Sequence, residues 1–395
     1  MAAEAGARGE ERRKALRFVV SLGFVSLFAD FTYEGGRSIV GPYLAMLGAG
    51  PVFAGAVAGM GEFLGYAVRL ASGRFVDRTH RHWAVMAVGY TVNMLSVPAL
   101  ALAGTPMFAG LLVFTERLGK GMRVPARDAL LSHAGHEIGH GYAFGLHEFL
   151  DQLGAIAGPL LVAGAVAYFS DYRAGFAVLC VPALLALAFL WRARGLGPGE
   201  DHAHAGHARS HFDRRYFLYL AFSVVSVVGF SHFILVAYHL EATHRLAPAA
   251  IPLLFGFAMG VDALAALAAG WLYDRVGLKV LVALPLLTLP AIPLLYLPAS
   301  PGLIWLGAGL WGAALGVQES IVRSGVATLT PAKLRGTAFG MFDTAFGLAW
   351  LLGSLLLGAL YGRGVTWLVG AAVIFQLAAL PLLFLTLRRD GHQEQ

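Results

Sequence analysis

Apolar runs of about twenty residues recur along this chain from end to end, separated by short polar connections. Each run is long enough to cross ~30 Å of hydrocarbon as a helix. The pattern predicts spans at 17–47, 52–72, 83–104, 106–126, 140–168 and 172–193. After a polar stretch from Arg194 to Arg214, six more follow at 215–240, 248–272, 279–298, 302–324, 335–360 and 365–387. The expectation is an all-α membrane protein of twelve transmembrane helices. It falls into two six-helix halves, 1–193 and 215–395, joined by a linker at 194–214.

Composition agrees with that reading. Of 395 residues, 58% are hydrophobic and 13% charged, and mean hydropathy is +0.68. A soluble domain carries about a quarter charged residues, so this chain lacks the polar surface to face water all round. Fifty glycines and seventeen prolines would break up soluble helices, whereas membrane helices tolerate both. The single cysteine, Cys180, excludes an internal disulfide and any cysteine-based metal site.

The net charge of +6 sits in connections rather than in a stripe with interleaved aromatics, which argues against nucleic-acid binding. One set of alternate connections carries Arg12, Arg13 and Lys14; Arg74, Arg78 and Arg81; Arg127; and Arg192, Arg194, Arg209, Arg214 and Arg215. It continues with Arg275 and Lys279, Lys333 and Arg335, and Arg388 and Arg389. The intervening connections hold only Arg173, Arg245 and Arg363. Positive charge marks the cytoplasmic side, so both termini and the central loop are expected there, in the cell (inner or plasma) membrane. The basic start leads into a first span bearing Asp30 and Glu34, without the small-residue cleavage site of a signal peptide. No Walker loop, nucleophile elbow, zinc-protease helix or dinucleotide fingerprint occurs, so neither ATP-driven transport, an enzyme activity nor a cofactor is expected.

The halves repeat. Gly141-Tyr-Ala-Phe-Gly-Leu returns as Gly336-Thr-Ala-Phe-Gly-Met, and Gly158-Pro-Leu-Leu returns as Gly353-Ser-Leu-Leu at the same displacement. Gly73-Arg-Phe-Val-Asp-Arg returns at nearly that displacement as Gly270-Trp-Leu-Tyr-Asp-Arg. Gly73 through Arg81, including Asp77 and Arg78, resembles the loop signature of the major facilitator superfamily. Gly270 through Lys279, including Asp274 and Arg275, resembles its second copy, with Gly277 in the place of His80. The resemblance implies the major facilitator fold, parallel repeats and alternating access. It assigns these loops a cytoplasmic gating role. The expected physics is a close helix approach at the glycines and an aspartate facing a helix N-terminus.

Arg117-Leu-Gly-Lys-Gly121 resembles the Arg-x-x-Gln-Gly pattern of proton-coupled drug antiporters, with Lys120 in place of the glutamine. Gly145, then Gly154, Gly158 and Pro159, resemble the glycine-rich antiporter motif, except that Leu160-Leu161 replaces its closing glycine pair. The string Gly119 through Leu131 also resembles a branch of bacterial exporters. That branch has an acidic, Ser/Thr-containing motif in its first helix, where Asp30-Phe-Thr-Tyr33-Glu34 stands here.

Intramembrane charge is the sharpest chemistry in the sequence. Asp30 and Glu34 share one helix face, ~20 and ~26 Å from a start near Arg17. A charge at the bilayer centre costs at least ~2.5–3.5 kcal/mol, so both are expected to face a partner or a cavity. Arg117 lies near the midplane of the fourth span, and the expectation is that it meets Asp30, with Lys120 close by. The blander alternative is a rim pair between Glu34 and Arg37, and Glu116 and Lys120 are spaced to pair along the fourth span. Separation of an acid–base pair would free the carboxylate to take a proton. Glu62 and Arg69 share a face in span two. His147, Glu148 and Asp151 lie within about one turn on span five, and Asp343 is the repeat equivalent of Glu148. For Glu148 and Asp343 both cavity lining and gate pairing are open. Asp262 and the spaced pair Glu319 and Arg323 complete the cavity candidates. Arg123, Arg127 and Asp128 read as gate or topology residues.

His202, His204, His207 and His211 in the central loop are weak metal-ligand candidates beside the simpler reading of a solvated linker. His133, His136 and His140 cluster in the loop before span five. His232 and His239 on span seven line a cavity, pack in the core or sit at the outer edge. The leading expectation is a monomeric, proton-coupled exporter of small, largely apolar or cationic organic molecules. The rivals are a carrier for a metal ion, metal chelate or siderophore, and a non-transporting sensor or lipid-handling protein on the same scaffold.

Overall fold

The computed structural model describes residues 2–196, 213–330 and 335–388, and every regular element among them is helical. In chain order these are α1 (Ala2–Met46), α2 (Pro51–Thr79), α3 (His82–Ala99), α4 (Pro106–Ile138), α5 (His140–Phe169), α6 (Tyr172–Val178) and α7 (Cys180–Arg194). There follow α8 (Arg214–Val228), α9 (Phe233–Ala242), α10 (Ala250–Val276), α11 (Ala283–Tyr296), α12 (Pro301–Thr328), α13 (Arg335–Arg363) and α14 (Val365–Leu387). Short 3-10 segments, Leu100–Leu102 and Gly277–Val282, follow α3 and precede α11.

Each of the twelve ranges read from hydropathy overlaps one helix or a helix pair, though α1 starts well before its range and α4 runs well past its own. Nine stretches among the described residues are long and apolar enough to cross a membrane, and one of them, Ala250–Tyr296, holds both α10 and α11. The α4 helix falls outside those nine, and it carries Glu116, Arg117, Lys120, Arg123, Arg127 and Asp128.

Local chemistry sets several element ends. Thr105 caps α4 by accepting from the Phe108 amide at 3.3 Å, with Pro106 at the first helical position, where a missing N–H does no harm. The seventh predicted range is interrupted at 229–232, where Nδ1 of His232 accepts from the Ile234 amide at 3.1 Å and starts α9. His80 and Gly277, matched in the sequence repeat, both adopt the left-handed conformation, with φ of 55° and 63°. Both end the helix that carries the Gly-x-x-x-Asp-Arg pattern, so the repeat is geometric as well as textual.

The chain divides into two compact units. Unit 1 comprises Met1–Tyr43, Leu64–Ala203 and Pro248–Gly256; unit 2 comprises Leu44–Phe63, His204–Ala247 and Phe257–Gln395. Leu44–Met46 of α1 and the first part of α2 belong with unit 2, and the first part of α10 belongs with unit 1. The unit 1 core gathers Phe18, Leu22, Met86, Tyr90, Met94 and Leu131 from α1, α3 and α4. Helices α3 and α4 approach closely, where a Cβ on Gly89 would lie 2.7 Å from the Arg123 amide and one on Gly119 would lie 2.9 Å from the Asn93 Cα. In unit 2, Trp311 is buried against Phe230 at 5.5 Å and donates from Nε1 to the Ser231 carbonyl at 2.9 Å.

Candidate functional site

The α4 helix presents its cations at positions 117, 120, 123 and 127, the spacing that keeps side chains on one face. In unit 1 that face meets the acidic stretch of α1. Arg123 is wholly buried and its Nη2 donates to Oδ1 of Asp30 at 3.3 Å, while its guanidinium packs 4.4 Å from the Tyr90 ring centre. Asp30 is itself 9% exposed. A charge pair so enclosed survives only because each member neutralises the other. Nε and Nη1 of Arg123 are buried without a hydrogen-bond partner, so its donor fork is half used.

One turn along α1, Glu34 pairs with Arg37 at 3.5 Å, and Arg37 also lies over the Phe255 ring at 5.9 Å. Between these pairs stands Tyr33, which is 2% exposed. Its hydroxyl accepts from Arg117, whose guanidinium lies 5.0 Å from the ring centre; the Lys120 ammonium sits 3.4 Å from the same centre. Arg117 further pairs with Glu116 at 3.5 Å, and Glu116 accepts from Nδ2 of Asn93 on α3 at 2.6 Å.

These contacts correct the sequence reading in three places. Asp30 takes Arg123 as its ion-pair partner rather than Arg117, because Arg123 lies on the same α4 face nearer that carboxylate, while Arg117 is turned onto Tyr33. Arg123, read as a gate or topology residue, is therefore a buried charge partner; its i+3 step from Lys120 was the signal for it. The expected pairing of Lys120 with Glu116 is replaced by contacts to Tyr33 and Asn93 respectively. The Glu34–Arg37 pair that the sequence allowed is formed, with both side chains largely enclosed.

Residues of α5 gather near the Asp30–Arg123 pair. His147 is buried and shares a hydrogen bond with Ser26 through Nε2 at 2.7 Å. Arg127 pairs with Asp128 at 2.9 Å and also donates to Ser26 at 3.4 Å. Glu148 is exposed and Asp151 half-buried, and Asp30, Arg123 and Arg127 act electrostatically on Asp151. Gly154 and Gly158 let α5 lie against α1: a Cβ on either would fall 2.9 Å from the amide of Phe31 or Gly35. Gly145 has open space, so the motif residues do not act alike.

In unit 2, His232 binds Glu62 of α2 through Nε2 at 3.2 Å and packs edge-on to Trp350 at 5.5 Å. Since Nδ1 accepts the Ile234 amide, Nε2 carries the proton and donates to the carboxylate. His239 is buried with its Nδ1 2.9 Å from the Tyr361 hydroxyl. Asp262 is 2% exposed on α10, Glu319 is exposed on α12 and Asp343 half-buried on α13. The Arg323 side chain, and the loop histidines 202, 204, 207 and 211, lie outside what the structure describes.

Asp77, Arg78 and Arg81 are exposed at the α2–α3 connection, as are Asp274 and Arg275 at the end of α10, where Arg275 stacks 3.3 Å from the Trp271 ring centre. The close approach expected at the loop glycines is not found. A Cβ on Gly73 would meet Pro125 at an ordinary 3.7 Å, and one on Gly270 would meet nothing within 4 Å. Both glycines stand well over one turn before the end of their helix.

The Major Facilitator Superfamily model matches residues 23–317 and 218–395. An uncharacterized protein of Mycobacterium tuberculosis is 39% identical over 380 residues, covering 94% of this chain and 93% of its own length. An uncharacterized MFS-type transporter of Methanocaldococcus jannaschii is 26% identical over 391 residues, covering 95% of this chain and 96% of its own. Among solved structures, a nucleoside transporter superposes with a TM-score of 0.76 at 16% identity, covering 93% of this chain and 98% of its own. A bacterial homologue of the human lysosomal transporter Spinster, inward-facing and unoccupied, gives 0.72 at 14% identity, covering 94% and 97%.

Proposed function

We propose, for a chain that belongs to the major facilitator superfamily and is a multi-pass membrane transporter, that it works as a proton-coupled secondary carrier exporting small organic molecules. The observation that carries the coupling is the Asp30–Arg123 pair, two opposite charges enclosed between α1 and α4 at 3.3 Å. While the pair holds, its two charges balance each other; when α1 and α4 shift and the guanidinium leaves, the carboxylate loses its counter-charge in low dielectric, the condition under which carboxylates in general favour the neutral form. The half-used donor fork of Arg123 supports such a movement, since it has spare N–H groups for a second acceptor. Asp151, within electrostatic reach of both Arg123 and Asp30, supplies a second carboxylate to receive it.

Alternating access would rock residues 1–193 against 215–395 about the 194–214 linker, with twelve crossings and both termini in the cytoplasm of a monomer in the inner membrane. Export is supported by the glycine-rich pattern of α5, whose Gly154 and Gly158 hold that helix against α1. The chain in an efflux-deficient host would protect against a set of organic compounds, and those compounds would then drive proton movement in proteoliposomes with an imposed pH gradient. Transport that proceeds at the same rate without the gradient would remove the proton from the mechanism.

A further inference from the structure

We infer that the cargo carries an anionic oxygen group, a carboxylate or a phosphonate or phosphate, and that this group pairs with the Lys120 ammonium where it rests on the Tyr33 ring. The inference rests on the carrier reading above and names the substrate class of the same site. It begins from how the charges within 30–37 of α1 and 116–128 of α4 are matched. Asp30 is taken by Arg123, Glu34 by Arg37, Glu116 by Arg117 and Asp128 by Arg127. Lys120 is left over: no carboxylate among the described residues forms an ion pair with it, and its contact is the face of Tyr33 at 3.4 Å.

The ring face attracts a cation but does not cancel its charge. The fields of Asp30 and Glu34 reach Lys120, and those of Arg117 and Arg123 oppose them. A cation in a membrane-spanning helix with no counter-ion of its own is held at a cost that a bound anion removes. Access fits as well, for Lys120 is half-buried, whereas Arg123 is wholly enclosed and Arg117 and Tyr33 nearly so. An incoming anion therefore reaches Lys120 first. A cationic cargo would meet the Lys120 ammonium instead, so this site favours an anion over the cations expected from sequence.

The test is equilibrium binding to the purified full-length protein in detergent, with no gradient. The probes are three anions (p-aminohippurate, benzoate and phenylphosphonate), the uncharged amide of p-aminohippurate, and tetraphenylphosphonium. We expect at least one anion to bind wild type at least tenfold more tightly than the amide or tetraphenylphosphonium. Lys120→Gln should lose that preference, and Lys120→Arg should keep it. Should Lys120→Gln not fold, the comparison of anion with amide on wild type decides the question alone. The inference is overturned if none of the three anions binds, if the amide or the cation binds as tightly as the anions, or if Lys120→Gln binds them like wild type. Gradient-driven flux of an uncharged or cationic compound would leave the carrier reading standing while this inference fails. Lys120-dependent anion binding without any gradient-driven flux would do the reverse.

Discussion

Asp30 on α1 and Arg123 on α4, 93 positions apart in the chain, close on each other at 3.3 Å inside unit 1. The pair ties α1 to α4 as well as holding charge. Removing one partner leaves the other enclosed and uncompensated, which is strongly destabilising, about 3–5 kcal/mol for buried pairs in general. Arg123→Ala is therefore expected to lower the thermal unfolding midpoint in detergent more than the double variant Asp30→Asn with Arg123→Gln. Equal midpoints would show that the pair is not charge-compensated as described.

Asp30→Asn separates coupling from binding. The amide keeps the shape and a hydrogen-bond acceptor but cannot be protonated. The expected result is loss of transport driven by a pH gradient, with exchange of labelled for unlabelled cargo across the same proteoliposomes retained. Full gradient-driven transport in this variant would remove Asp30 from the coupling role.

The α5 glycines make a contrast within one helix. Gly154 and Gly158 abut the α1 backbone, where a Cβ would come within 2.9 Å of an amide nitrogen that cannot move aside, while Gly145 faces open space. Gly154→Val and Gly158→Val are expected to give aggregated protein by size-exclusion chromatography, and Gly145→Ala a monodisperse peak like wild type. Three equal outcomes would show that α1 and α5 do not lie this close.

The helices were legible because a membrane leaves few choices: an apolar run of about twenty residues must satisfy its own backbone, and only a helix does so locally. The break at 229–232 was not, since a histidine cap replaces the usual Ser, Thr, Asp or Asn signal. Within the site, periodicity put Asp30 and Glu34 on one face and Arg117 and Lys120 on another, but it could not set the register of α1 against α4. That register depends on the close approach of Gly89 and Gly119, which brings α4 against α3, and on Tyr33 filling the space that Arg117 was expected to cross. Asn93 and Tyr90 were missed for the same reason: a polar or aromatic residue in an apolar run announces no partner until helices pack.

His232 joins two jobs that substitution can separate. As the cap of α9 it is replaceable by Asn, and loss of an N-cap costs about 1 kcal/mol. As the donor to Glu62 it has no short substitute. His232→Asn is expected to keep a thermal midpoint above that of His232→Ala, while Glu62→Gln, which leaves an acceptor for Nε2, stays close to wild type. If His232→Asn and His232→Ala melt together, the cap contributes nothing and the Glu62 contact carries the whole effect.

The last prediction uses the two copies of the repeat against each other. His80 and Gly277 occupy equivalent left-handed positions at φ 55° and 63°, yet only one of them is glycine. For a residue with a Cβ this conformation costs roughly 1–2 kcal/mol, and for glycine almost nothing. His80→Gly relieves that cost in the folded state and gives the unfolded chain more freedom, so the two effects oppose and the midpoint should move by little. Gly277→Val adds a branched side chain where the backbone disfavours one, with no relief elsewhere, and should lower the midpoint clearly; Gly277→Asn, which tolerates the region, should fall between. The ordering Val below Asn below wild type at 277, with near silence at 80, is the signature of matched backbone turns in the two halves. A Gly277→Val midpoint equal to wild type would mean that the second connection does not hold this turn in solution.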